Sequence, residues 1–164
     1  LLELFPEYYG KLKLPIPEDS NSLPDILDEA LWAIDLYKRT QREDGAIYGG
    51  IETNGHPKPG EAAFLDSLTR YVFAPDPRGT WRYAASAARA AFVFKQLGKH
   101  KESKDYLNSA IRAMQWAEKE YGARKDYFEK SGDWWCIKDK RSLASLCIYR
   151  LTEDKQWNSI FEDT

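Results

Sequence analysis

Sulfur and imidazole are almost missing from this chain, which has two cysteines, one methionine and two histidines among 164 residues. His56, His100, Cys136 and Cys147 form no metal-ligand cluster, so neither a metal site nor a cofactor is expected. The two cysteines lie eleven apart around one expected helix, so a disulfide between them would need unlikely geometry, and two buried thiols are the simpler expectation. No apolar run approaches the roughly 20 residues that a bilayer span needs. A formal net charge of -2 gives no electrostatic reason to expect nucleic acid or an anionic membrane as partner. Gly49-Gly50 lacks the adjoining Lys-Ser/Thr and the strand of a phosphate-binding loop. The chain starts with Leu1, inside what reads as the last turns of a helix, and shows no signal peptide. It is therefore expected to be a portion of a longer protein.

What is present is aromatic and helical. Aromatics make up 14% of the residues, six of them tryptophan, and 43% apolar content suffices for a core in a chain of this size. Helical spacing predicts helices over about 2–10, 23–41, 81–97, 102–121, 137–152 and 155–162, with no convincing strand alternation. In the third, alanines at 84, 85, 87, 88, 90 and 91 leave little polar face, which suits a helix packed on several sides. Gly98 and Gly122 are the expected stops of the third and fourth helices. Short connections imply antiparallel neighbours, so the chain reads as consecutive helical hairpins. The long stretch 42–79 is the exception, with enough apolar anchors and turns to be ordered, and with a short helix expected over 61–70.

The segment 17–41 carries the strongest signal. Ser22 is the expected N-cap, Pro24 suits a first helical turn, and Asp25, Asp28 and Glu29 bring negative charge to the positive end of the helix dipole. Ile26, Leu27, Ala30, Leu31, Ile34 and Tyr37 then mark an apolar face, which sends Asp35, Lys38 and Arg39 to water. The three acids are expected to stabilise the helix start and not to act in catalysis.

These residues resemble the family 9 glycoside hydrolases, which carry a Pro-Glu-Ser-x-Asn-Gly-Ile-Pro-Asp-Ile-Leu-Asp-Glu-like segment followed by Gln-x-x-Asp-Gly-Gly-x-Tyr-His. The matches are Pro17, Glu18, Asn21, Pro24, Asp25, Ile26, Leu27, Asp28 and Glu29, then Gln41, Asp44, Gly45 and Tyr48. Ser22 stands where the family often has Gly, Ala46 replaces the second Gly, and Gly49 replaces the His, so that imidazole is missing here. Leu4-Phe5-Pro6-Glu7 is similar to the end of the preceding family helix, the run 80–94 to its alanine-rich helix, and 139–154 to its Asp-Glu-Leu-x-Trp-Ala-Ala-x-x-Leu-Tyr-Arg-x-Thr-Gly-Asp helix. In the last of these Leu143 replaces Trp and Glu153 replaces Gly.

The resemblance implies an all-α fold whose hairpins form part of an incomplete (α/α)6 toroid over 1–164, with 42–79 as a cleft-rim loop and no second domain. It implies hydrolysis of β-1,4-glucan or a related β-glucan with inversion, and a location that is secreted, periplasmic or at the cell surface. Such hydrolysis needs an acid and a base, which the family draws from a C-terminal Glu and an upstream Asp-Ala-Gly-Asp motif. Neither is in this chain, which is expected to supply scaffold and cleft contacts, to be inactive alone, and to self-associate through exposed apolar helix faces.

Sugars stack their C–H faces on aromatic rings and hydrogen-bond through their hydroxyls. Trp32, Trp116 and Trp157 lie in or beside apolar helical stripes and read as core. Trp81 and the Trp134-Trp135 pair flank helix starts, at the rim of the implied cleft, where either sugar contact or packing suits them. Tyr48, His56 and Arg82 are the polar candidates beside them, although a lone loop His is more often solvated and Arg82 could instead pair with a carboxylate. Two other functions compete. A helical-repeat interaction module conflicts with the unsteady helix period and with the loop 42–79. An inactive toroid-fold relative that binds carbohydrate agrees with the departures at Ala46, Gly49 and Leu143.

Overall fold

The structure, a computed structural model, describes residues 1–17, 21–130 and 134–164, excluding the side chains of 63 and 134–136. Among the described residues seven helices follow in order: α1 (Pro6–Tyr9), α2 (Asp25–Arg39), α3 (Pro77–Gln96), α4 (His100–Ala123), α5 (Lys125–Lys130), α6 (Trp134–Thr152) and α7 (Lys155–Glu162). The expected all-α class is the observed one. Between α2 and α3 lies a small addition that the sequence pattern did not announce: β1 (Ile51–Thr53) and β2 (Arg70–Val72) pair antiparallel, Ile51 opposite Val72 and Thr53 opposite Arg70. Three residues per strand are too few for alternation to register. The helix expected over 61–70 is only a 3-10 turn at Ala63–Leu65 that runs on toward β2. At the N-terminus, helix is confined to α1, and α5 was not expected at all.

The centre of the molecule is α3. Asp76 caps it by accepting the Gly79 N–H at 3.0 Å, and Pro77 takes the first-turn position where no N–H is needed. Its alanines at 84, 85, 87, 88, 90 and 91 are all buried, so neighbouring backbones approach closely on several sides. The principal partner is α4, antiparallel to it, which contributes Tyr106, Ala110, Ala113, Met114 and Ala117 to the same core. Ser103 Oγ of α4 donates to the Ala91 carbonyl at 2.8 Å, a bond that only two small side chains in contact permit. At the turn between them Gly98 has φ +72°, and the Gly98 and Lys99 N–H groups donate to the Lys95 and Phe94 carbonyls. This is a Schellman ending, as the glycine predicted. Gly122 is less decisive, because α4 runs one residue past it.

On its other side α3 meets α6, whose Ala144, Cys147 and Ile148 are buried. Cys147 is the buried free thiol expected, and burial raises its pKa. The Cys136 side chain lies outside the described residues. Two ion-pair groups tie the helices together. Arg141 of α6 grips Glu118 of α4 with Nε to Oε1 at 3.0 Å and Nη2 to Oε2 at 2.8 Å. Glu3 receives Arg89 of α3 at Oε1 and Arg150 of α6 at Oε2, both at 2.8 Å.

Some expectations for α2 need correcting. Its N-cap residue is Pro24 and not Ser22, whose hydroxyl instead accepts from Lys99 Nζ at 3.1 Å. Asp25 and Asp28 stand in the first turn as expected, and both are also buried. The Leu14 N–H donates to Asp25 Oδ2 at 2.7 Å and Lys13 Nζ to its Oδ1 at 3.0 Å, which fastens the preceding segment to the helix start. Asp35 and Lys38, expected in water, bind α4: Tyr106 donates its hydroxyl to Asp35, and Lys38 pairs with Asp105 across the Tyr106 ring. Trp32, expected in the core, is 74% exposed, because the apolar stripe that packs runs through Leu27 and Leu31 instead. Trp157 is buried as expected, and Trp116 is partly buried against the core.

Candidate functional site

The site lies where the C-terminal half of α2, the β1–β2 hairpin and the first turns of α3 meet. The turn after α2 sets its geometry. Gln41 uses its whole amide: Nε2 donates to the carbonyls of Gly45 (3.1 Å) and Ser109 (3.0 Å), while Oε1 accepts from Ser109 Oγ (2.6 Å) and Arg112 Nη2 (2.8 Å). Asp44 closes the turn by accepting the Ala46 N–H and pairing with Arg42. Gly45 takes φ +99°, and a Cβ there would lie 2.3 Å from the Arg112 carbonyl oxygen. Only glycine fits so close to α4 in that conformation. The Gln-x-x-Asp-Gly signature is thus the clamp that holds this loop on α4.

From the clamp the chain runs through Ala46 and Ile47, both buried, and the Ile47 N–H donates to Thr80 Oγ1 at 3.3 Å. That bond fixes Tyr48 beside the start of α3. Tyr48 also bridges to Pro75 in antiparallel fashion, extending the hairpin ladder toward the helix. At Gly49 a Cβ would meet Asp76 Oδ2 at 3.3 Å and Phe73 Cβ at 3.4 Å, so the side chain usual in this motif would force its neighbours to give. Gly49 and Arg82 line the same two depressions.

Three depressions share these residues. The smallest, about 140 Å³, lies between Tyr37, Tyr48, Gly79, Arg82 and Ser86. On one side it shares Tyr37 and Tyr48 with an apolar groove of about 580 Å³ that also takes in Leu36, Ile51 and Val72. On the other it shares Gly49, Gly79 and Arg82 with a trough of about 650 Å³ bounded by Arg124, Tyr127 and Lys140. The result is an open channel with aromatic rings along its length and basic groups at one end.

Of the six residues singled out from sequence, the structure brings Tyr48 and Arg82 together on this channel. His56 stands apart, exposed in the loop beyond β1 and lining none of these depressions. Trp81 is corrected to a core residue: fully buried, it donates Nε1 to Glu118 Oε1 at 3.1 Å and meets Tyr121 edge-on with ring centroids 5.6 Å apart. One helical step of about 100° sends Arg82 outward and Trp81 inward. The side chains of Trp134 and Trp135 lie outside the described residues. Sequence reasoning missed Tyr37, counted with the packed stripe, and Tyr127, Arg124 and Lys140, which carry no motif.

The electrostatics of the supporting core are settled by pairing. Burial favours the neutral form of Glu3, yet the bonds from Arg150 and Arg89 outweigh it and hold the carboxyl below its usual range. Burial also disfavours the Arg141 cation, and the Glu118 carboxylate more than offsets it. Burial pushes Tyr83, whose hydroxyl is 2.6 Å from Ser109 Oγ beside the Gln41 clamp, up to about 12. No group of three or more His, Cys, Asp or Glu arranged to hold a metal occurs among the described residues.

The sequence model of glycosyl hydrolase family 9 matches residues 2–164. The chain belongs to this family. It is 31% identical over 125 residues to a xyloglucan-specific endo-beta-1,4-glucanase of Bacteroides ovatus, an alignment covering 73% of this chain and 21% of that protein. It is 34% identical over 87 residues to a cellulose 1,4-beta-cellobiosidase of Acetivibrio thermocellus, covering 49% and 10%. Among solved structures, a metagenome-derived family 9 endoglucanase superposes with a TM-score of 0.79 at 25% identity, over 99% of this chain and 30% of that one. A Bacteroides ovatus family 9 protein gives 0.76 at the same identity, over 99% and 32%. The chain thus spans about a fifth of the first curated relative and under a third of these solved chains. Among the described residues no helix is long and apolar enough to cross a membrane.

Proposed function

We propose that this family 9 chain forms one wall of the substrate cleft of a glycoside hydrolase that cleaves β-1,4-glucan or a related β-glucan with inversion. The catalytic acid and base are then supplied from segments outside these residues, and the chain by itself does not turn over substrate. The observation that carries the proposal is the convergence of Tyr37, Tyr48 and Arg82 on one open channel, held there by a clamp built from the Gln41, Asp44 and Gly45 signature. Ring faces for sugar C–H surfaces beside a hydrogen-bonding cation are what a neutral polysaccharide site needs. The glucanase and cellobiosidase names of the relatives support the same substrate class. In this proposal the hairpins are part of an (α/α)6 toroid, and a polymeric substrate places the enzyme outside the cytoplasm.

The apolar groove beside Leu36, Ile51 and Val72, with Trp32 exposed nearby in sequence on the same helix, would drive the isolated chain to self-associate. Binding is tested by affinity electrophoresis in gels containing hydroxyethyl cellulose. Tyr48→Ala should weaken retention about tenfold, the loss of a stacking contact of roughly 1.4 kcal/mol. Reducing-sugar release should be absent with the 164-residue chain and present in a longer protein that carries the family's Asp-Ala-Gly-Asp and terminal Glu segments. Retention by the gel without hydrolysis in that longer protein would favour the carbohydrate-binding, inactive relative.

A further inference from the structure

The small depression at Tyr48 and the larger trough beyond it adjoin at Gly49, Gly79 and Arg82, which line both. Two of these three have no side chain, and they stand close together: a Cβ on Gly79 would lie 3.8 Å from the Gly49 Cα. The passage from channel to trough therefore runs past bare backbone on the loop and on the helix, with Arg82 at its edge. Asp76 Oδ2 sits at the same place, 3.3 Å and 3.4 Å from the Cβ positions of Gly49 and Gly79. The other oxygen of that carboxylate, Oδ1, accepts the Gly79 N–H as the helix cap.

Neither glycine is there for its backbone conformation. Gly79 lies in the first turn of α3, and the glycines that take positive φ are Gly45, Gly50, Gly60 and Gly98. Glycine weakens a helix relative to alanine. An alanine Cβ at position 79 would meet nothing nearer than 3.4 Å, whereas one at Gly45 would strike backbone at 2.3 Å. Propensity and packing both accept a larger residue at 79, and the chain nevertheless keeps the opening. Departures from local preference of this kind concentrate at functional sites.

The trough beyond the passage suits an uncharged guest of sugar size. Its volume of about 650 Å³ is that of a small-molecule site. Its charged groups are engaged within the protein: Asp76 caps α3, Arg124 pairs with Glu120 at 2.7 Å, and Arg78 and Lys140 have partners as well. Such groups still hydrogen-bond to hydroxyls, and the exposed Tyr127 adds a ring face. We infer that the glucan carries a neutral sugar side group, which passes between Gly49 and Gly79 into the trough while the backbone lies along Tyr37 and Tyr48. Gly49 and Gly79 are then specificity-determining residues that favour a branched β-1,4-glucan over an unbranched one. A hydroxyl of the branch donates to Asp76 Oδ2, and its ring stacks on Tyr127. An unbranched chain leaves the trough empty and forgoes both contacts. The inference deepens the proposed function and rests on its placement of the sugar chain in this channel.

The test is affinity electrophoresis of the 164-residue chain in gels containing xyloglucan, unbranched mixed-linkage β-glucan or galactomannan. Retention by the branched glucan should exceed that by the unbranched one about tenfold, the worth of one added stacking contact. Gly79→Ala should cut the excess severalfold and Gly79→Gln should remove it, with unchanged circular dichroism in both. Tyr127→Ala, which alters the trough and leaves the passage open, should also cut the excess severalfold. Equal retention by the two glucans, or an excess indifferent to Gly79→Gln, overturns the inference. Should Gly79→Gln lose its helical signal, an excess indifferent to Tyr127→Ala overturns it instead. Retention by the unbranched glucan alone overturns the inference and leaves the proposed function standing. Strong binding to galactomannan with none to either glucan overturns the β-glucan proposal and leaves the branch site standing. Absence of binding to all three overturns both.

Discussion

Gly45 shows how much one residue carries. Its positive φ and the 2.3 Å approach of a virtual Cβ to the Arg112 carbonyl mean that Gly45→Ala must bear both backbone strain and a clash with backbone that cannot swing aside. Gly60 also has positive φ, +82°, but nothing lies within 4 Å of its virtual Cβ. Gly45→Ala is expected to cost about 3 kcal/mol and Gly60→Ala about 1 kcal/mol, the difference being the clash. Urea unfolding of the two variants measures it. Asp25 supplies the pH counterpart. The Leu14 N–H and the Lys13 ammonium hold its carboxyl below the ordinary value, with burial opposing them. A lowered folded pKa means stability that is present above the unfolded value, about 3.9, and lost as pH falls through the folded one. The stability gap between wild type and Asp25→Asn should therefore be largest above about pH 4 and narrow toward pH 2, in urea midpoints taken across that range. Glu3 follows the same sign, since its carboxyl is lowered too.

Among the elements, the α6–α7 turn is the least comfortable. Glu153 adopts φ +56°, the non-glycine positive φ found among the described residues, and Asp154 then caps α7 by accepting the Gln156 N–H at 3.0 Å. The turn needs the left-handed region whatever residue is there, and the related family motif has Gly at this position. Glu153→Gly is expected to raise stability by about 0.5–1 kcal/mol. Differential scanning calorimetry would report the gain, and a lower melting temperature would contradict it. At the α3–α4 turn, where the sequence does supply Gly98, the same strain is avoided. Helices α3 and α4 were legible because their apolar spacing is regular and Gly98 separates them, although the Asp76 cap starts α3 at Pro77, four residues before the expected 81. The β1–β2 hairpin was not, since three-residue strands leave almost no periodic trace, and what orders it is the bridge from Tyr48 to Pro75 and the Phe73 N–H bond to the Gly50 carbonyl.

At the scale of the molecule, the hairpins are bound into one body by buried charge as well as by alanine packing. Arg141 and Glu118 are mostly buried, and Glu118 also receives Trp81 Nε1, so α3, α4 and α6 meet at one carboxylate. Removing the cation strands that carboxylate in the core. Arg141→Ala should cost about 3 kcal/mol, and Arg141→Ala with Glu118→Gln less than the sum of the two single changes. A double-mutant cycle by chemical denaturation checks the coupling. The sequence by itself determined the helical class, the central alanine-rich helix with its stop at Gly98, the family signature, and Tyr48 and Arg82 as residues to watch. Each of these depends on local spacing or on a contiguous motif, which a linear chain displays. Only the tertiary structure decided that Trp81 belongs to the core and Trp32 to the surface, since α3 packs on several sides and buries its first ring, whereas the apolar residues of α2 run wider than the Leu27 and Leu31 stripe that packs. It also gathered Arg124 and Lys140 beside Arg82, because residues far apart in the chain become one charged surface only when helix packing brings them together.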